Sequence, residues 1–109
     1  MPFTDEAWEN PESDLDAAQF CAVCLIDGNP AGEDKIKALC KLPIRKTPGG
    51  PYSRSALRNA AGRIFQTTGV DAATRKQAAK RLVSLMREGG IQVTSAALLQ
   101  LAGVLPERK

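Results

Sequence analysis

A chain of 109 residues and 11.7 kDa is the size of one small domain and leaves no room for a large two-domain enzyme. Its 43% hydrophobic and 25% charged residues sit near the globular average, which argues against disorder throughout, although only five aromatics (Phe3, Trp8, Phe20, Tyr52, Phe65) help fill a core. There is no histidine, which removes His-dependent serine and cysteine triads and most zinc-hydrolase sites from this chain.

In chain order, residues 1–16 (MPFTDEAWENPESDLD) are rich in carboxylates, contain Pro2 and Pro11 and have no apolar period, so they read as a flexible acidic arm with Phe3 and Trp8 free to dock. A signal peptide would be basic and then apolar, and no apolar run approaches the ~18 residues of a membrane span. The expectation is a cytoplasmic protein with no membrane partner. Phe20 to Ile26 (FCAVCLI) reads as a buried strand, and Asp27-Gly28-Asn29-Pro30-Ala31-Gly32 as a turn. The return run Lys35 to Arg45 completes a β-hairpin, with Pro43 marking an edge strand or a strand end.

Lys46 to Tyr52 (KTPGGPY) is a loop. Ser53 then offers an N-cap to a helix running to about Thr67, with Leu57, Ala60, Ala61, Ile64 and Phe65 on one stripe and Gly69 as C-cap. Gly62 lowers helix propensity there by ~1 kcal/mol relative to Ala, which points either to a close backbone approach or to weak local structure. Asp71 caps a second helix from Ala72 to about Glu88, with stripe Ala78, Ala79, Leu82, Val83, Leu85 and Met86, stopped by Gly89-Gly90. Thr94 or Ser95 caps a short third helix, Ala96 to Ala102, and Pro106 with Glu107-Arg108-Lys109 ends the chain. The predicted fold is α+β, a small β-hairpin packed on a bundle of three helices, forming a single domain over residues 17–105.

The net charge of +3 conceals a segregation: residues 1–34 hold nine acids and no base, whereas residues 35–109 hold fifteen bases and three acids. The two parts therefore carry −9 and +12. An acidic arm joined to a basic body suits polyanion binding, although the arm also competes with such a ligand at high effective concentration. Lys76, Lys80 and Arg87 share a narrow sector of the second helix, and Arg54 with Arg58 stands at i, i+4 on the first. These five are the candidate contacts for a protein partner or nucleic acid. Phe65 to Thr74 (FQTTGVDAAT) has the spacing of a helix-turn-helix, but Arg75 falls where such motifs bury an aliphatic residue.

Other chemistry finds little support. Cys21-Ala22-Val23-Cys24 with Cys40 could supply thiolates to a metal, with Asp27 as a fourth ligand, but in a strand positions i and i+3 point to opposite faces. The same placement denies the pair the helix N-terminus of a redox motif. The expected state is three reduced, buried core cysteines, with a Cys24–Cys40 bridge across the hairpin as the other possibility. The Lys46 to Pro51 loop has no phosphate-cradle spacing, and the acids lie mostly in the arm, away from any rigid carboxylate pair. No catalytic residue, metal or other cofactor is expected.

The run Ala38 to Met86 resembles a small module of phage and prophage proteins that occurs alone or attached to prohead maturation proteases. The motifs are Lys41-Leu42-Pro43, then Leu57-Arg58-Asn59-Ala60-Ala61-Gly62-Arg63-Ile64, then Ala78-Ala79-Lys80-Arg81-Leu82. More distantly it is similar to the ChaB family, a small α+β domain; with the Phe20 strand the resemblance covers about sixty per cent of the chain. It implies a helical domain with a small antiparallel sheet and a phage or prophage context, while the missing serine-protease set means this chain is not itself the protease. The expected function is a non-enzymatic phage or prophage interaction protein, accessory to head assembly, binding a macromolecular partner through a basic helical face. The alternative is a nucleic-acid-binding regulator with a helix-turn-helix-like pair.

Overall fold

The computed structural model describes residues 3–30 and 32–104. Ala31 of the expected turn, the first two residues of the expected arm, and the expected domain end at 105 with the charged residues after it lie outside the described residues. Among the described residues the fold is α+β, with four α-helices and two small sheets of short strands. In chain order these are β1 (Phe3–Thr4), α1 (Ala17–Val23), β2 (Cys24–Asp27), β3 (Cys40–Pro43), β4 (Tyr52–Ser53), α2 (Arg54–Arg63), α3 (Ala72–Glu88) and α4 (Ala96–Ala102).

The first apolar run is not one strand. Its first half is α1, started by a capping box in which Asp16 Oδ1 accepts the Gln19 N–H at 2.8 Å and Gln19 Oε1 accepts the Asp16 N–H at 3.1 Å. Two orphan helix donors are satisfied at once, and this outweighs the β propensity of Phe20 and Val23. The chain turns extended at Cys24, and β2 pairs antiparallel with β3 in the register Cys24↔Pro43, Ile26↔Lys41 and Asp27↔Cys40. The hairpin therefore exists but is shorter than its sequence pattern, since Lys37–Leu39 is a 3-10 turn. Leu42, opposite Leu25, has φ 63°, a left-handed conformation rare for a branched residue, and interrupts the ladder there.

The three later helices form where the caps place them. Ser53 Oγ accepts from Ala56 N, Asp71 Oδ1 from Thr74 N and Ser95 Oγ from Leu98 N. Beyond Arg63 the helix tightens into a 3-10 turn, Ile64–Gln66. This change of pitch keeps Ile64 buried but rotates Phe65 out of the stripe, leaving it 45% exposed rather than in the core. The 3-10 turn is capped at Thr67 rather than at the expected Gly69, which lies two residues further on and takes φ 72° in the connection to α3. On α3 all six residues of the expected stripe are buried, and this face packs against α2, α4 and β2. Leu57, Ile64, Leu82 and Leu98 are completely buried at that junction.

Residues 3–16 hold defined contacts. β1 pairs parallel with β4, Phe3 to Tyr52 and Thr4 to Ser53. The Phe3 ring lies so close to Gly89 that a Cβ there would sit 2.9 Å from it, so a side chain at position 89 would push the ring away. Pro11 is buried, and Lys37 Nζ donates to the Glu12 carbonyl at 2.6 Å.

Two substitutions test this packing. Leu82→Ala is expected to cost about 2–5 kcal/mol in a urea titration, with the midpoint falling and the slope unchanged. Gly62 is exposed, with nothing within 4 Å of where a Cβ would stand, so there is no close approach to preserve. Gly62→Ala is expected to stabilise by about 0.5–1 kcal/mol and to raise Tm by several degrees.

Candidate functional site

The five basic residues singled out by spacing differ in their surroundings. Arg54 is committed internally: its Nε donates to the Gly89 carbonyl at 2.7 Å, its Nη1 pairs with Asp5 Oδ2 at 3.0 Å, and its guanidinium lies 5.5 Å from the centre of the Phe3 ring. It ties the acidic N-terminal stretch to the end of α3. Arg87 is half-buried and Arg58 is exposed beside Ala61, Met86 and Ile91.

Lys76 and Lys80 remain on the open face of α3. Its exposed residues, Ala72, Ala73, Lys76, Gln77, Lys80, Arg81, Ser84 and Glu88, recur at helical spacing opposite the buried stripe. Three cations thus stand within about two turns of one helix, with no acid on the strip before Glu88. Arg81, which sequence spacing left out, belongs to this strip; its signal was its adjacency to Lys80 on the side away from Leu82 and Val83. At the strip's start, the Lys76 side chain runs beside Gly103, the left-handed C-cap of α4, where unpaired carbonyls favour a cation. In the first turn of α3, Arg75 is half-buried and donates from Nη2 to the Thr67 carbonyl in the segment before the helix. It therefore braces the turn from the position where a helix-turn-helix would bury an aliphatic side chain.

The cysteines depart from expectation. Cys21 and Cys40 form a disulfide with Cα atoms 5.3 Å apart, while Cys24 is a buried free thiol. Neither the expected trio of reduced core cysteines nor the alternative Cys24–Cys40 bridge is what forms, and the strand expected through Cys21 is a helix. In helix α1 that residue turns instead toward Cys40, at the loop end of the hairpin. Asp27, the cross-strand partner of Cys40, places Oδ1 3.4 Å from its sulfur. Asn29 holds the loop between the strands: its Oδ1 accepts the Ile36 N–H at 2.7 Å, and its Nδ2 donates to the Ile36 carbonyl at 3.2 Å and to Asp27 Oδ1 at 2.9 Å. The same amide nitrogen is 3.3 Å from Cys40 Sγ and 3.6 Å from Cys21 Sγ. Lys35 Nζ pairs with Asp27 Oδ2 at 2.6 Å.

These contacts set the titration of the cluster. Burial works to raise the Asp27 pKa, but the hydrogen bonds from Lys35 and Asn29 and the Lys35 charge outweigh it and hold the carboxyl below its ordinary 3.8. Burial, with the charges of Glu12 and Asp27 behind it, pushes the Cys24 thiol up to about 12, so that cysteine is a poor nucleophile at neutral pH.

Thiol titration checks this assignment: the folded protein is expected to give no reactive thiol, the denatured protein one, and the denatured and reduced protein three. Reduction of the bridge, which closes a loop of about twenty residues, is expected to cost about 3 kcal/mol in chemical denaturation. Because the folded-state Asp27 pKa is depressed, its stabilisation is complete above the unfolded value near 4 and is lost as pH falls through the folded value. Asp27→Asn is accordingly expected to flatten that acid limb in stability measured against pH. No protein family model matches the chain, and neither do curated proteins or solved structures.

Proposed function

We propose that the chain is a non-enzymatic interaction module that grips an acidic surface of a protein partner through the exposed face of α3, in the phage or prophage head-assembly setting its motifs resemble. One observation carries the reading: Lys76, Lys80 and Arg81 stand together on a rigid helix whose opposite face is the core, with no acid between them. A helix anchored along its whole length presents these charges with little entropy left to lose, which suits recognition more than passive solvation. Lys and Arg on the partner-facing side would steer encounter with an acidic patch and set its salt dependence. In this reading Arg54 acts inside the molecule, docking the acidic stretch through Asp5, and the cytoplasm is the compartment.

The second reading, nucleic-acid binding, is favoured by Gln77 between Lys76 and Lys80 on the outer face near the start of α3, where a recognition helix meets base edges. Arg75, in the first turn of α3 where a helix-turn-helix buries an aliphatic side chain, counts against it.

Fluorescence anisotropy at low salt with poly-glutamate and, separately, with a mixed-sequence DNA duplex tests both. The expected result is poly-glutamate binding that weakens at least tenfold in the Lys76→Glu, Lys80→Glu, Arg81→Glu triple variant and little in Arg54→Ala. Duplex binding lost in the same triple variant, with a log–log salt slope near about −2.7 for three neutralised phosphates, would transfer the assignment to nucleic acid. Binding to neither probe, or binding indifferent to the triple variant, would overturn both.

A further inference from the structure

We infer that, in the reduced protein, Cys21, Cys40 and Asp27 form a three-ligand site for a zinc-class divalent cation, so that the disulfide and the metal are alternative occupants of one place. The two sulfurs and a carboxylate oxygen lie within 4.8 Å of one another. Two thiolates and a carboxylate form a donor set suited to a borderline-soft ion such as Zn2+ rather than to Mg2+ or Ca2+. Three protein ligands leave the fourth tetrahedral position to water or to a partner's side chain.

The site survives loss of the S–S bond because the bridge is not what aligns its ligands. Cys40 and Asp27 face each other in the β2–β3 ladder, and the Gly28 N–H donates to the Leu39 carbonyl at 2.8 Å one step beyond. The loop between them is held by the two Asn29–Ile36 hydrogen bonds. Cys21 is fixed by α1, whose start is held by its own capping box between Asp16 and Gln19. With metal–sulfur bonds of ~2.3 Å, two thiolates on one ion stand about 3.8 Å apart, a separation that side-chain rotation supplies from a Cα distance of 5.3 Å. The Asn29 amide, within 3.6 Å of both sulfurs, is placed to donate to thiolates and so supplies the outer support that orients metal ligands. Asp27 is exposed, which gives the ion a route in, whereas both cysteines are buried.

The exchange balances with a dithiol reductant. The Cys21–Cys40 bond breaks as two electrons arrive from the dithiol, which becomes its own disulfide. The protein sulfurs bind Zn2+ as thiolates, and the two protons left by the dithiol go to solvent. Since thiol-reducing compartments keep disulfides open, the metal-holding form is the one expected in a cytoplasm. Cys24 lies in the same buried cluster as Cys21 and Cys40, but its thiol is not among the donor atoms gathered within 4.8 Å of one another and plays no part.

The experiment takes the full chain, reduced with a phosphine and freed of reductant, and titrates it with Zn2+ against a chromophoric chelator, with Co2+ as a spectroscopic probe. One equivalent is expected to bind with a sub-micromolar Kd, with a thiolate-to-cobalt charge-transfer band and tetrahedral d–d bands, while the oxidised chain binds at least a hundredfold more weakly. Asp27→Asn is expected to weaken Zn2+ at least tenfold and Cys21→Ser to abolish the cobalt bands, with circular dichroism confirming that each variant folds. Cys24→Ser is expected to leave binding unchanged. Stoichiometric binding absent from the reduced chain, retained in full by Asp27→Asn, or lost in a folded Cys24→Ser would overturn the assignment.

Discussion

The two-sided character of α3 is the constraint on which the rest of the molecule depends. Seventeen residues form one uninterrupted helix, about 25 Å long, between an Asp71 cap and the Gly89-Gly90 stop. Six apolar side chains on one side give α2, α4 and β2 a common surface to bury against. With few aromatics available, Leu82, Leu57, Ile64 and Leu98 form a core of aliphatic side chains that interlock around small Ala78, Ala79 and Ala102. The opposite side has no such obligation and is free to carry charge. Burial of one face thus orients the cations of the other.

Two long-range tethers complete a chain whose strands are too short to be stable by themselves. At one end of α3, Arg54 joins the Gly89 carbonyl to Asp5 and the Phe3 ring, so the acidic stretch contributes packing, an ion pair and a cation–π contact to the helical body. An exposed ion pair alone contributes little, and the Phe3 ring seated on Gly89 is what gives the contact its shape. On the hairpin, Cys21, Cys40, Asp27 and Asn29 join α1 to the turn between β2 and β3. The same acids that give the first part of the chain its negative charge therefore serve as local partners: Asp5 for Arg54, Asp16 for the α1 cap and Asp27 for Lys35.

Where sequence and structure agree, the deciding interaction is local. Asp71, Ser53 and Ser95 each precede an apolar period and cap within three residues, so the starts of the three later helices and the buried stripe of α3 are legible from spacing alone. Where they part, two local signals compete or a distant residue decides. Asp16 and Gln19 spell a capping box in the sequence, yet the β-branched and aromatic run beside them points to a strand. The exposure of Phe65 follows from a change of helical pitch at Ile64 that no periodicity announces.

The amino-acid sequence by itself determined an α+β chain with an antiparallel hairpin, capped helices and strongly separated charge, because caps, turns and periodic burial act over a few residues. Only the tertiary structure decided which cations are available and which cysteines meet. Arg54 and Lys80 look equivalent on a helical wheel; a carbonyl at Gly89 and a carboxylate at Asp5, distant in sequence, claim one and leave the other on an open face. Cys21 meets Cys40 rather than Cys24 meeting it because a helix turns by about 100° per residue and a strand by about 180°, so the choice between them reassigned the side chains from Phe20 to Val23.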